Sequence, residues 1–103
     1  MAGQLEDRVA VITGAGEGIG RGIASAFVKE GAKVVIAEIN AELGNAAVSE
    51  LGDNAIFVET DVSLKEDNER MIAAAVDQWG TLDILVNNAW GGGVISRVES
   101  KSP

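Results

Sequence analysis

The sequence predicts an α/β fold, a parallel sheet with crossover helices, and three observations carry that prediction. Short β-branched runs alternate with amphipathic segments between Val9 and Val86. The stretches joining those runs are long enough for crossover helices. The first run ends directly in a glycine cluster that leads into the first helical segment.

Val9-Ala10-Val11-Ile12 is almost wholly apolar, the pattern of a parallel strand buried on both faces. Ile19, Ile23, Ala26 and Phe27 then recur at helical spacing, and Gly31 stands where a helix C-terminus favours positive φ. Lys33 to Glu38 is a second strand. Asn40 is a suitable N-cap for a second helix carrying Leu43, Ala47 and Leu51 to Gly52. Ala55 to Glu59 forms a weaker third strand. Ser63 with Glu66 three residues later is a capping-box signature for a third helix with Leu64, Met71, Ile72, Ala75 and Trp79 on one side, ending at Gly80. Trp79 is assigned to the core, and Ile84-Leu85-Val86 is a fourth strand.

This βαβαβαβ order implies right-handed crossovers and a Rossmann-type doubly wound sheet. Of the order 3-2-1-4-5-6 the four strands supply 3-2-1-4, so residues 1–103 are expected to form a single, incomplete dinucleotide-binding domain. Part of one sheet face and the outer edge of strand four are then expected to be uncovered. Ser102-Pro103 reads as an N-cap and first helical residue, a second sign that the chain stops where a helix would begin.

Composition narrows the functional classes. Hydrophobic residues at 47% and charged residues at 23% fit a globular domain rather than a disordered one. A net charge of −8 with no basic cluster argues against nucleic acid and against anionic membranes. Without cysteine or histidine there is neither a thiolate metal site nor an imidazole base, and no metal ligand set is assigned. No stretch has the length of a membrane span and the N-terminus has no secretory pattern, so a soluble cytoplasmic protein is expected.

The loop Thr13-Gly14-Ala15-Gly16-Glu17-Gly18-Ile19-Gly20 supplies the first candidate site. Between a strand and a helix it can bring bare backbone to a pyrophosphate, while the helix N-terminus offers unpaired N–H groups and a favourable dipole. Gly14 and Gly18 allow that approach, and Gly20 is expected to let the helix pack closely on the sheet. Gly16, Glu17 and Ile19 complete the loop's cofactor-binding set. The spacing fits neither G-x-G-x-x-G nor the P-loop pattern, which disfavours a P-loop nucleotide hydrolase. Glu38 ends strand two roughly 20 residues past the glycines, where the fold puts an acid on the adenosine ribose hydroxyls. Its charge, with that of Glu17, would repel a 2′-phosphate, so NAD is expected over NADP.

Taken together, Thr13-Gly14-x-x-x-Gly18-x-Gly20, Glu38, Asp61-Val62 and Asn87-Asn88-Ala89 resemble the coenzyme half of the short-chain dehydrogenase/reductase family. The resemblance implies that Asp61 hydrogen-bonds the adenine amino group with Val62 beside the ring. It implies that Asn88 and Ala89 run along the cofactor, while Asn87 ties neighbouring backbone together. From the residues alone, Asp61 can equally be a turn residue before Ser63, and the asparagine pair a strand-end turn. Trp90, before Gly91-Gly92-Gly93, departs from the glycine usual after Asn-Asn-Ala.

The family's catalytic Ser, its Tyr-x-x-x-Lys pair and a further Asn lie beyond position 103, so no catalytic residue is assigned. The chain has no tyrosine, and Lys101 cannot act alone as proton donor. What the resemblance implies is an NAD-dependent oxidoreductase acting on a small-molecule alcohol or ketone, homo-oligomeric when intact and represented here by its cofactor half. Two other readings stay open: a non-catalytic NAD-binding or regulatory module, and a half-domain that pairs with another chain through strand four.

Overall fold

The computed structural model describes residues 3–88 and, for the backbone alone, 94–97. The elements are β1 (Val9–Thr13), α1 (Gly18–Lys29), β2 (Lys33–Glu38), α2 (Ala41–Leu51), a 3-10 turn (Gly52–Asn54), β3 (Ala55–Glu59), α3 (Lys65–Trp79), β4 (Ile84–Asn87) and β5 (Val94–Arg97). The sheet order is β3-β2-β1-β4-β5. The first four strands run parallel, with Val11 opposite Val35 on one side and Leu85 on the other. The Rossmann-type order 3-2-1-4 and its three helices are therefore present.

The central strands show why the sheet is doubly wound. Ala10, Ile12, Val34 and Ile36 enter one core with Ile23, Phe27 and Val28 of α1 and Val48 and Leu51 of α2. Their neighbours Val9, Val11, Val35 and Ala37 enter a second core with Met71, Ala75 and Trp79 of α3. Alternate side chains of a strand point to opposite faces, so a continuous apolar run serves two cores at once. Trp79 packs as expected.

Helix ends follow local chemistry. The Asn40 side chain accepts the Leu43 N–H at 3.0 Å, capping α2. Gly31 and Gly80 take φ of 96° and 85° after α1 and α3.

Four expectations need correction. First, Val94–Arg97 adds a fifth strand antiparallel to β4, pairing Asn87 with Val94 and Ile84 with Arg97. The outer edge of β4 is thus hydrogen-bonded within the chain, and pairing with another chain through it is not available. Antiparallel neighbours need only a short connection, and residues 88–93 supply one.

Second, among the described side chains the most exposed apolar residues stand off the sheet, while Ile56, Val58 and Leu85 on its α3 face are half-buried. Among the described residues the exposed large apolar side chains are Ile19, Ile39, Leu64, Ile72 and Val76, none of them in a strand. Third, the helical faces are narrower than expected: Ile23, Phe27, Met71, Ala75 and Trp79 pack in the cores as assigned, but other members of the stripes do not. On α1, Gly20 and Ala24 are buried whereas Ile19 and Ala26 are exposed; on α3, Met71 and Ala75 are buried whereas Ile72 is not. Leu64 precedes α3 and is exposed as well. Small residues let these helices lie close to the sheet.

Fourth, the Ser63–Glu66 capping box does not form. Leu64 occupies the N-cap position without a side-chain bond, and the Ser63 hydroxyl donates to Asp61 Oδ1 at 2.6 Å. Helix α3 starts one residue later than the box requires, which puts Ser63 ahead of the N-cap and Glu66 at the second helical position. Ser63 instead closes the turn at Asp61.

Candidate cofactor site

The site lies at the C-terminal ends of β1, β2 and β3, where open α/β sheets bind ligands. A cleft there is lined by Gly14, Ala37, Glu38 and Ile39 on one side and Thr60, Asp61 and Val62 on the other. It joins the glycine loop to the two acids singled out from the sequence.

Gly14 and Gly18 both take φ of 64°, a left-handed backbone that residues with a Cβ rarely adopt. No neighbouring atom lies within 4 Å of where a Gly18 Cβ would stand, so that corner of the loop is open to an incoming group. Helix α1 begins behind it with no side-chain cap on its N-terminus and no acid in its first turn. Its leading N–H groups are those a helix leaves without intrahelical partners, and their dipole favours an anion.

Gly20 acts differently from expectation. A Cβ there would stand 2.4 Å from the Gly14 carbonyl oxygen and 2.6 Å from Asn88 Nδ2, so the glycine admits the returning loop and Asn88 more than the sheet itself. Asn88 is held by its backbone too, donating its N–H to Thr13 Oγ1 at 2.8 Å. The Thr13 hydroxyl lies 3.3 Å from Asn87 Oδ1, so Asn87 engages a side chain where a tie to backbone was expected. Ala89 and Trp90 fall outside the described residues.

Glu38 is 8% exposed, and its carboxylate is gripped from two sides. Oε1 accepts the Gly16 N–H at 2.9 Å and Oε2 accepts the Asn40 N–H at 3.1 Å. Each ionised oxygen has two lone-pair directions, so acceptor capacity remains on both. Its main chain is fixed as well, the carbonyl accepting the Thr60 N–H at 3.0 Å.

Asp61 sits across the cleft in an Asx turn, its Oδ1 accepting from the Ser63 N–H at 3.0 Å and from the Ser63 hydroxyl. Those two donors, the hydroxyl first, hold its carboxyl below the usual carboxylate range. The Asp61 N–H donates to Asp67 Oδ2 at 2.9 Å, and Arg70 pairs with Asp67 at 3.2 Å and donates to the Glu59 carbonyl. The Val62 carbonyl accepts from Asn68 Nδ2 at 2.8 Å.

The structure thus brings Gly14, Glu38, Asp61 and Val62 into one cleft, with Gly16 behind Glu38 and Gly20 and Asn88 behind Gly14. Glu17, Gly18 and Ile19 are exposed at the loop's tip, Ile19 at 74%. Sequence reasoning missed the bonding of Thr13 to Asn87 and Asn88, Asn40 as a donor to Glu38, and Ser63 and Asp67 as partners of Asp61. Only the last had a legible signal, Asp-x-Ser being an Asx-turn pattern.

These features fit a dinucleotide: bare backbone and an uncapped helix for a diphosphate, a fixed buried carboxylate for sugar hydroxyls, and a second acid for an amino group. Comparisons with known proteins point the same way. A protein-family model described as short chain dehydrogenase matches residues 8–101. Sorbitol dehydrogenase of Cereibacter sphaeroides is 45% identical over 86 residues, covering 84% of this chain and 34% of that protein. The 7alpha-hydroxysteroid dehydrogenase of Escherichia coli K12 is 42% identical over 93 residues, covering 87% and 36%. The crystal structure of 3-ketoacyl-(acyl-carrier-protein) reductase from Brucella melitensis complexed with NADH superposes with a TM-score of 0.78 at 43% identity. That match covers 80% of this chain and 34% of the reductase. The chain spans about a third of the length of the curated relatives it matches.

Proposed function

The chain belongs to the short chain dehydrogenase family, and from that premise we propose that it is the NAD-binding portion of an oxidoreductase acting on a small secondary alcohol or ketone. Family membership supports oxidoreductase chemistry with a nicotinamide cofactor, and the NADH in the Brucella reductase structure agrees with it. The choice of NAD rests on Glu38. A buried carboxylate fixed by two backbone N–H groups can accept from a ribose diol, whereas a 2′-phosphate would meet its negative charge.

In this reading the loop from Gly14 to Gly20 and the N-terminus of α1 hold the diphosphate, Glu38 holds the adenosine ribose, and Asp61 and Val62 receive the adenine. Asn88 and Ala89 extend along the cofactor towards its nicotinamide. The bound nicotinamide supplies the hydride chemistry. Asp61, kept ionised by Ser63, accepts an N–H, and Glu38, already in place, needs no reorientation to accept an O–H. The proposal includes a homo-oligomeric, cytoplasmic whole protein, with residues 1–103 alone unable to turn over substrate.

Glu38→Ala in the full chain tests the assignment by calorimetry. Losing hydrogen bonds to a charged acceptor is expected to weaken NAD binding about 10- to 100-fold. An unchanged affinity removes Glu38 from the site, and no heat with NAD for the unaltered protein removes the cofactor.

A further inference from the structure

Gly16 was read from the sequence as one more residue against the cofactor, yet it is buried and turned towards Glu38. Unlike Gly14 and Gly18, it is not among the glycines with positive φ, so backbone freedom does not explain it. Space does. A Cβ on residue 16 would stand 2.8 Å from Glu38 Oε1, 2.9 Å from Glu38 Cγ and 2.8 Å from Leu43 Cβ. All three distances are under the 3.0 Å that real Cβ contacts essentially never breach.

The two close partners differ in what they can do. Leu43 Cβ rides on the first turn of α2, which the Asn40 cap pins at the Leu43 N–H itself. The Glu38 carboxylate is the end of a longer side chain and is the part that can move. A methyl on residue 16 would therefore displace the carboxylate first and lengthen the 2.9 Å bond from the Gly16 N–H.

We propose that Gly16 is a positioning residue: by its N–H and its missing side chain it seats the Glu38 carboxylate, and it acts on the nucleotide through that acid rather than by touching it. The inference rests on the reading of Glu38 as the ribose acceptor. It makes the loop and the acid one device, since the backbone that approaches the diphosphate also aims the group that selects the sugar.

The test is calorimetry on the full chain with two ligands, NAD and its analogue carrying 2′-deoxyadenosine. The unaltered protein is expected to bind NAD about tenfold tighter than the analogue, the effect of one hydrogen bond to a charged acceptor. In Gly16→Ala that preference falls to within about twofold of unity, and adding Glu38→Ala changes it no further, because residues acting through one another are non-additive. General damage to the loop would weaken both ligands alike and leave the ratio intact, and that result overturns the inference. Absence of NAD binding by the unaltered protein, or binding without preference, overturns the ribose reading and the inference together. If Gly16→Ala does not fold, amide exchange decides: in Glu38→Ala the Gly16 amide is expected to exchange about tenfold faster. An unchanged rate overturns the seat.

Discussion

At the scale of single residues, the site is built from backbone donors aimed at two acids. Asp61 shows the energetics most directly. Ser63 donates to it twice, which stabilises the charged form and holds its carboxyl below the usual range. A group with a lowered folded-state pKa contributes stability that is present above its unfolded value and lost as pH falls through the folded one. Ser63→Ala is thus expected to raise the Asp61 titration midpoint towards the usual carboxylate value, followed by NMR of the carboxyl carbon. An unmoved midpoint would mean that the hydroxyl is not the main cause. The identities of both acids were legible in the sequence, Glu38 from its distance past the glycines and Asp61 from the family pattern. The donors that hold them were not, because Gly16 and Asn40 contribute main-chain N–H groups and any residue type carries one.

At the scale of elements, contact between α2 and β3 turns on Gly44. Its Cβ would stand 2.1 Å from Phe57 Cε1 and 2.2 Å from Cδ1, so the ring lies directly on the helix backbone. Gly44→Ala removes a helix-propensity penalty of about 1 kcal/mol but overpacks the contact by about 1–3 kcal/mol. Net destabilisation is expected from chemical denaturation of the full chain, with partial recovery on adding Phe57→Leu. A stabilised Gly44→Ala would show that the ring yields freely. The same closeness explains which elements the sequence revealed. Helix ends marked by Asn40, Gly31 and Gly80 were readable because each cap is local chemistry. The core contacts Ile23 and Phe27 of α1 and Met71, Ala75 and Trp79 of α3 were readable from periodicity. Ile19, Ala26 and Ile72, assigned to the same faces, are exposed, and the small Ala24 takes their place on α1. The Ser63 cap failed because the helix begins one residue later, which leaves Ser63 to the local turn at Asp61.

At the scale of the whole molecule, the order 3-2-1-4 was legible because parallel strands require crossovers of one hand, which leaves few arrangements. The return of Val94–Arg97 onto β4 was not, four residues after a glycine run giving too little periodicity to read. Activity also belongs to this scale. Hydride transfer to or from a carbonyl carbon needs a proton partner at its oxygen, and residues 1–103 contain neither tyrosine nor histidine. Purified residues 1–103 supplied with NAD and simple secondary alcohols are expected to give no NADH absorbance above buffer, and sustained production would refute the proposal. The position of Glu38 carries an evolutionary consequence. Its side chain joins the glycine loop to the start of α2 while its carbonyl meets Thr60, so three segments converge on one residue. Under the proposed NAD assignment, a lineage drifting towards the phosphorylated coenzyme cannot simply discard the acid. Doing so strands the buried Gly16 amide at about 1–3 kcal/mol, so the substitution becomes accessible only with a replacement that brings another acceptor to that N–H.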